Sequence, residues 1–189
     1  MANIKMAVLA SAAFIATGAQ ADDLLLIDLS VVDQITITAT AGLASATTTG
    51  SGFTGFLLAD FYSGAGTGLI SSLISGDITT AGTVSDGTPA LFRQDISNGL
   101  NMWSFNTAST SNFTAGALAF QGSGTWSISS ALYAEMLAGN SSGDIYNGAD
   151  TDDDIANGAV LVGTWNTIPA PSSMALLGLG GVVAGRRRR

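Results

Sequence analysis

The stretch Gln34-Ile35-Thr36-Ile37-Thr38-Ala39-Thr40 alternates apolar and polar side chains without a break. A strand sends successive side chains to opposite faces. Period two therefore puts Ile35, Ile37 and Ala39 on one side and three threonines on the other. A helix would scatter the same residues around its axis. β-Branched side chains also suit a pleated, half-buried surface. The segment reads as a strand with one face on a core and one face wetted by hydroxyls rather than charges.

Other segments repeat the pattern on both sides. Phe53 to Tyr62 is an aromatic-rich run bounded by glycines and reads as a more buried strand. Leu91 to Ser97 and Leu100 to Asn106 flank Asn98-Gly99, a dipeptide suited to a type I′ hairpin turn. Gly116 to Phe120, Thr125 to Ser129 and Ala159 to Trp165 read as further strands. One helix is expected over Ala131 to Ala138, with Ser130 as its N-cap and Gly139 as its terminator. Gly-Ser-Gly-Phe at 50–53 and Gly-Ser-Gly-Thr-Trp at 122–126 recur without a fixed period, so they mark turns before strands rather than repeats. The expected fold is all-β, a single β-sandwich with a jelly roll as one version of it. A signal helix precedes this body and an apolar helix follows it.

Composition supports that reading and excludes several functions. The 189 residues are 47% hydrophobic but only 7% aromatic and 11% charged, and 24 are glycine. There is no Cys and no His, hence no disulfide framework, no zinc finger and no Ser-His-Asp triad. The formal charge of −8 hides its distribution. Lys5 and Arg186 to Arg189 supply five of the six cations. Residues 22–167 hold Arg93 against all 14 acids, a net of −13. Such a body does not neutralise a phosphate backbone, so nucleic acid is not an expected partner.

Both ends read as signals. Lys5 is a basic flank, Met6 to Gly18 an apolar stretch, and Ala19-Gln20-Ala21 a small-residue cleavage site followed by Asp22-Asp23. This is the order of a secretory signal peptide over residues 1–21, with a buried N-terminal helix as the alternative. At the other end, Pro169-Ala170-Pro171 leads into an uncharged run from Ser172 to Gly185, closed by Arg186, Arg187, Arg188 and Arg189. As a helix at ~1.5 Å per residue the run spans roughly 21 Å, short of a ~30 Å hydrocarbon core. Snorkelling arginines and local thinning cover part of the difference. Arginines stay cytoplasmic, which leaves the body outside.

Residues 168–189 resemble the PEP-CTERM sorting signal of exported bacterial proteins, a Pro-Glu-Pro motif followed by an apolar helix and an Arg-rich end. Ala170 stands where that motif usually has Glu. The resemblance implies export, transient anchoring in the inner membrane, and handling by an exosortase. It further implies delivery to the surface or extracellular matrix of a Gram-negative, exopolysaccharide-making cell. An ordinary C-terminal anchor is the alternative. The expected function is that of a surface or matrix structural or adhesive protein, not an enzyme. The second reading is a Ca²⁺-dependent or carbohydrate-binding module on the same delivery system, with exopolysaccharide as a partner.

Candidate chemistry in the body is sparse. Asp150, Asp152 and Asp154 have the alternate spacing with which a loop wraps oxygen ligands around Ca²⁺. The match to an EF-hand loop fails at Ile155 and Leu161, and a solvated acidic loop is the other reading. No further cofactor is expected. Glu135, the sole Glu, with Asp60 or Asp95 would be the carboxylate pair of a glycosidase. Trp103, Trp126, Trp165, Tyr62, Tyr133 and Tyr146 are candidates for stacking on sugars, with core packing as the alternative.

Overall fold

A computed structural model describes residues 21–64, 66, 68–81, 88–94, 97–103 and 110–168. In chain order the elements are β1 (Asp23–Asp28), β2 (Gln34–Ala39), β3 (Thr48–Ser51), β4 (Phe56–Leu58), β5 (Leu69–Ile70) and β6 (Ser72–Gly76). There follow β7 (Thr79–Thr80), β8 (Ala90–Arg93), β9 (Leu100–Trp103), β10 (Thr110–Phe113), β11 (Phe120–Gln121) and β12 (Ser123–Ser127). The chain closes with α1 (Ser130–Leu137), β13 (Ser142–Asn147), α2 (Asp153–Ala156) and β14 (Val160–Thr167).

The Ile-Thr alternation forms β2, and its isoleucines do what period two demands. Ile35 and Ile37 are fully buried. On the outer face Thr36 meets Thr125 of β12 directly across the pair, hydroxyl to hydroxyl at 2.9 Å. Such cross-strand pairs are the unit that holds a sheet in register.

Ten strands form one sheet in the order β5-β8-β9-β4-β13-β14-β1-β2-β12-β6. Its two edge strands are neighbours in sequence, with only Ser71 between β5 and β6. Laid flat, ten strands at ~4.8 Å would separate the edges by roughly 43 Å. A Cα step is ~3.8 Å, so one intervening residue requires the edges to meet. The sheet is therefore rolled into a nearly closed barrel. Where the sequence suggested a two-layer β-sandwich or jelly roll, the described strands form this one curled sheet with two small ribbons, β10-β3 and β11-β7. Alternation specifies a buried face for each strand but not whether the opposite wall belongs to a second sheet or to the same one.

The interior is filled by aromatic and branched side chains. Trp126 and Trp165 are fully buried, and each indole N–H finds a carbonyl, Pro89 at 3.0 Å and Ala59 at 3.1 Å. Phe56 of β4 packs against Phe120 of β11 and Phe113 of β10, with centroids 4.9 and 6.4 Å away. This contact brings both ribbons onto the core. Asn147 ties β3 and β10 to β13 through Ser111 and Thr48. Asn101 donates to the carbonyls of Thr54, Phe56 and Ala149.

Several local expectations shift. The helix runs Ser130–Leu137 with Ser129 as N-cap, one residue earlier than expected. Gly139 does follow it, but at close approach: a Cβ there would strike the Phe61 carbonyl. The strand expected at 116–120 is reduced to β11 and a bridge between Leu43 and Leu118. The β8-β9 hairpin exists, but Phe92 faces Asn101, so the connection is six residues long, 94–99. Neither Asn98 nor Gly99 has the positive φ of a type I′ turn. Ser97 Oγ instead accepts from Gly99 N at 3.0 Å, and Asp152, far along the chain, holds the loop.

β1 and β14, the first and last strands, pair in parallel near the middle of the sheet, and the other sheet pairs are antiparallel. Both ends of the described chain therefore emerge from the centre of the fold. They leave at opposite ends of one strand pair, because the pair is parallel.

Candidate functional site

The tail begins where the ladder stops. Thr167, the last residue of β14, donates its N–H to Ser141 O at 2.8 Å on one side. Ile168 N donates to Ile27 O at 2.7 Å on the other. The next residue is Pro169, which has no N–H with which to continue. Pro169, Ala170, Pro171 and Arg186 to Arg189 lie outside the described residues, as do the apolar run and residues 1–20 with Ala19. Ala21 is described. Among the described residues no helix is long and apolar enough to cross a membrane.

At the other end of the same strands a polar row crosses three of them. Asp144 of β13 faces Thr164 of β14, and Thr164 faces Asp23 of β1. Thr164 Oγ1 donates to Asp23 Oδ1 at 2.7 Å, and the Tyr146 phenol reaches Asp144 Oδ2 at 3.3 Å. Loss of water, then the Asp144 charge, pushes the Tyr146 phenol up. Asp23, Asp144 and Thr164, with Ala21, Ser142, Gly143 and Asn166, line an open depression of about 530 Å³. Sequence reasoning missed this row. The Asp22-Asp23 pair after the expected cleavage site was its one visible trace, since cross-strand neighbours are not local in sequence.

The acidic loop brings two of its three candidate carboxylates together and turns the third away. Asp152 Oδ2 accepts from Asn98 N at 2.6 Å and from Ser97 Oγ at 3.0 Å. Asp154 Oδ2 accepts from Asp150 N at 3.0 Å. That backbone N–H holds the Asp154 carboxyl below its usual range. Loss of water, and then the neighbouring Asp154, raises that of Asp150. Asp150 and Asp154 thus face each other, whereas Asp152 turns to Ser97 and Asn98. Among the described residues no group of three or more ligating side chains is placed to hold a metal ion.

The lone cation of the body is internal. Arg93 is 1% exposed and pairs with Glu135. Its other donors go to Gly64 O at 2.6 Å and Ser97 O at 3.2 Å, and its guanidinium lies 3.5 Å from the centre of the Tyr62 ring. Burial pushes the Tyr62 phenol strongly up. Gly66 makes room for the pair, since a Cβ there would meet the Glu135 carboxylate and Arg93 Nη1. Glu135, the one Glu available to a carboxylate pair, is thereby committed to a structural contact.

Three of the six aromatic candidates are also internal. Trp126, Trp165 and Tyr62 are buried, and Tyr133 donates its phenol to Leu29 O at 2.6 Å. Phe53, not singled out from sequence, is half exposed and meets Trp103 edge-on at 5.2 Å.

The chain ends in a sorting signal for export. Residues 167–189 match the PEP-CTERM protein-sorting motif, and the match starts on the last residue of β14. The protein is thus one sorted at its C-terminus by an exosortase, toward the cell surface or extracellular space. No curated protein and no solved structure matches the chain.

Proposed function

We propose that this protein is a structural or adhesive component of the cell surface or extracellular matrix. In this reading residues 1–21 direct export and are removed. The apolar run at 172–185, with its four arginines inside, then holds the chain in the inner membrane until an exosortase cuts near Pro171. The observation that carries the proposal is the junction at Thr167 and Ile168. The sorting motif starts where the ladder ends, so its removal costs the sheet no strand. A barrel-like body whose sole Glu and sole Arg hold each other suits a building block better than a catalyst.

Intact mass spectrometry of the protein released by its own host tests this. The expected product begins at Asp22 and ends near Pro171, without the arginines. Replacing Arg186–Arg189 by Ser should leave the protein in the wrong fraction. An unchanged distribution with a full-length C-terminus would sink the sorting mechanism.

A further inference from the structure

Residue 22 is pinned from three directions. Thr164 N and Thr164 Oγ1 both donate to its carbonyl, at 2.9 and 3.1 Å. Leu43 N donates to its carboxylate at 2.9 Å. The residue before it, Ala21, lines the depression that Asp23 and Asp144 also line. The backbone nitrogen of Asp22, the atom that joins it to Ala21, is therefore held at an acidic surface.

Cleavage after Ala21 changes that nitrogen from an amide into a primary amine. We infer that the depression between β1, β14 and β13 is the binding site for the mature chain's own α-ammonium group. The inference rests on the reading of residues 1–21 as a removed leader. The groups around the site all have one sign. β1 brings Asp23, with Asp22 just before it, β13 brings Asp144 with the Tyr146 phenol on it, and Asp60 beyond β4 acts on that phenol. β14 contributes the uncharged Thr164 and Asn166. Arg93 is buried elsewhere and neutralised by Glu135, so it does not compete. Nearby carboxylates favour the charged amine. The surrounding carboxylates therefore push the amine above its ordinary range.

The sign of the coupling follows. A raised folded value means that the ammonium stabilises the body fully below the unfolded value. That contribution is lost as the pH rises through the folded one. The leader-bearing precursor has an amide at this position and lacks the contribution at every pH.

One feature of composition makes the test direct. Lys5 is the only lysine in the sequence, and it leaves with the leader. The mature chain then has a single primary amine. The rate of its acylation by an amine-directed reagent, followed against pH on protein exported by its host, reports this one group. N-terminal sequencing identifies the residue that carries it. The expected result is an amine on Asp22 that titrates higher in the folded protein than in the unfolded chain. It should fall to the ordinary value in urea and part of the way in Asp144→Asn. The comparison of folded with urea-unfolded wild type decides the matter if that variant does not fold. An Asp22 amine with the ordinary value in both states would overturn the site and leave the leader standing. A first residue other than Asp22 would overturn the leader reading and the site together.

Discussion

Asp150 and Asp154 sit four residues apart and are pushed in opposite directions by the same short loop. Asp154 accepts the Asp150 backbone N–H, and its carboxyl is held low. Asp150 is raised by loss of water and by its neighbour. An acid with a lowered folded value stabilises above its unfolded value, and the contribution is lost as pH falls through the folded one. A raised acid does the reverse, opposing folding wherever it is ionised. Asp150→Asn should therefore raise the midpoint of thermal unfolding at pH 7. At pH 3, where the wild-type carboxyl is protonated, the gain should vanish. The backbone N–H that serves Asp154 survives the substitution. A lower midpoint at pH 7 would mean that the Asp150 carboxylate has a stabilising partner. The alternate spacing of these aspartates was plain in the sequence. Their partners were not, because backbone amides and a loop more than fifty residues away outbid the geometry that a cation requires.

At the scale of elements, legibility followed local pattern. The Ile-Thr strand, the last strand and the helix all stood out, each having its period or its caps within ten residues. β1 did not, although its Leu24, Leu25 and Ile27 are almost wholly buried. A short apolar run just after a leader carries no alternation by which to know it. β13 was missed because Ser142-Gly143-Asp144 looks like a turn. Gly143 is needed there for another reason: a Cβ would lie 2.5 Å from Ala59 O and 2.7 Å from Trp165 Nε1. The Asn98-Gly99 turn failed as a prediction because Ser97 and Asp152 build a longer loop around it. β14 lies between β13 and β1 and supplies the fully buried Val162 and Trp165. Loss of one large buried aromatic alone typically costs about 3–5 kcal/mol. A chain ending at Ile168 should keep the native circular dichroism spectrum and cooperative unfolding. A chain ending at Gly158 should show neither. Cooperative unfolding of the shorter chain would mean that the sheet closes without its last strand.

At the scale of the whole, the described body is a strongly anionic barrel. Residues 22–167 carry a net −13, and the one cation among them is enclosed. Self-repulsion of this kind destabilises a compact state and is screened by salt, with a Debye length of about 30 Å at 0.01 M and 10 Å at 0.1 M. The thermal midpoint should thus rise as sodium chloride goes from 10 to 100 mM at pH 7. A fall would show that attractive surface pairs, not repulsion, dominate the electrostatics. The rolled shape itself was beyond the sequence, since each strand's pattern tells its burial but not its neighbours. The delivery signal was legible throughout, because it is read as a linear segment.

The enclosure of Arg93 bears on how long such a protein lasts outside the cell. Proteases of the trypsin type cut after lysine or arginine, and they need the bond in an accessible, extended segment. Once both ends have been trimmed as proposed, Arg93 is the single residue of that kind left. It is at the end of a barrel strand, with its side chain locked among Tyr62, Glu135, Gly64 and Ser97. The folded body then offers such enzymes no foothold, so its lifetime in their presence is set by how rarely it opens.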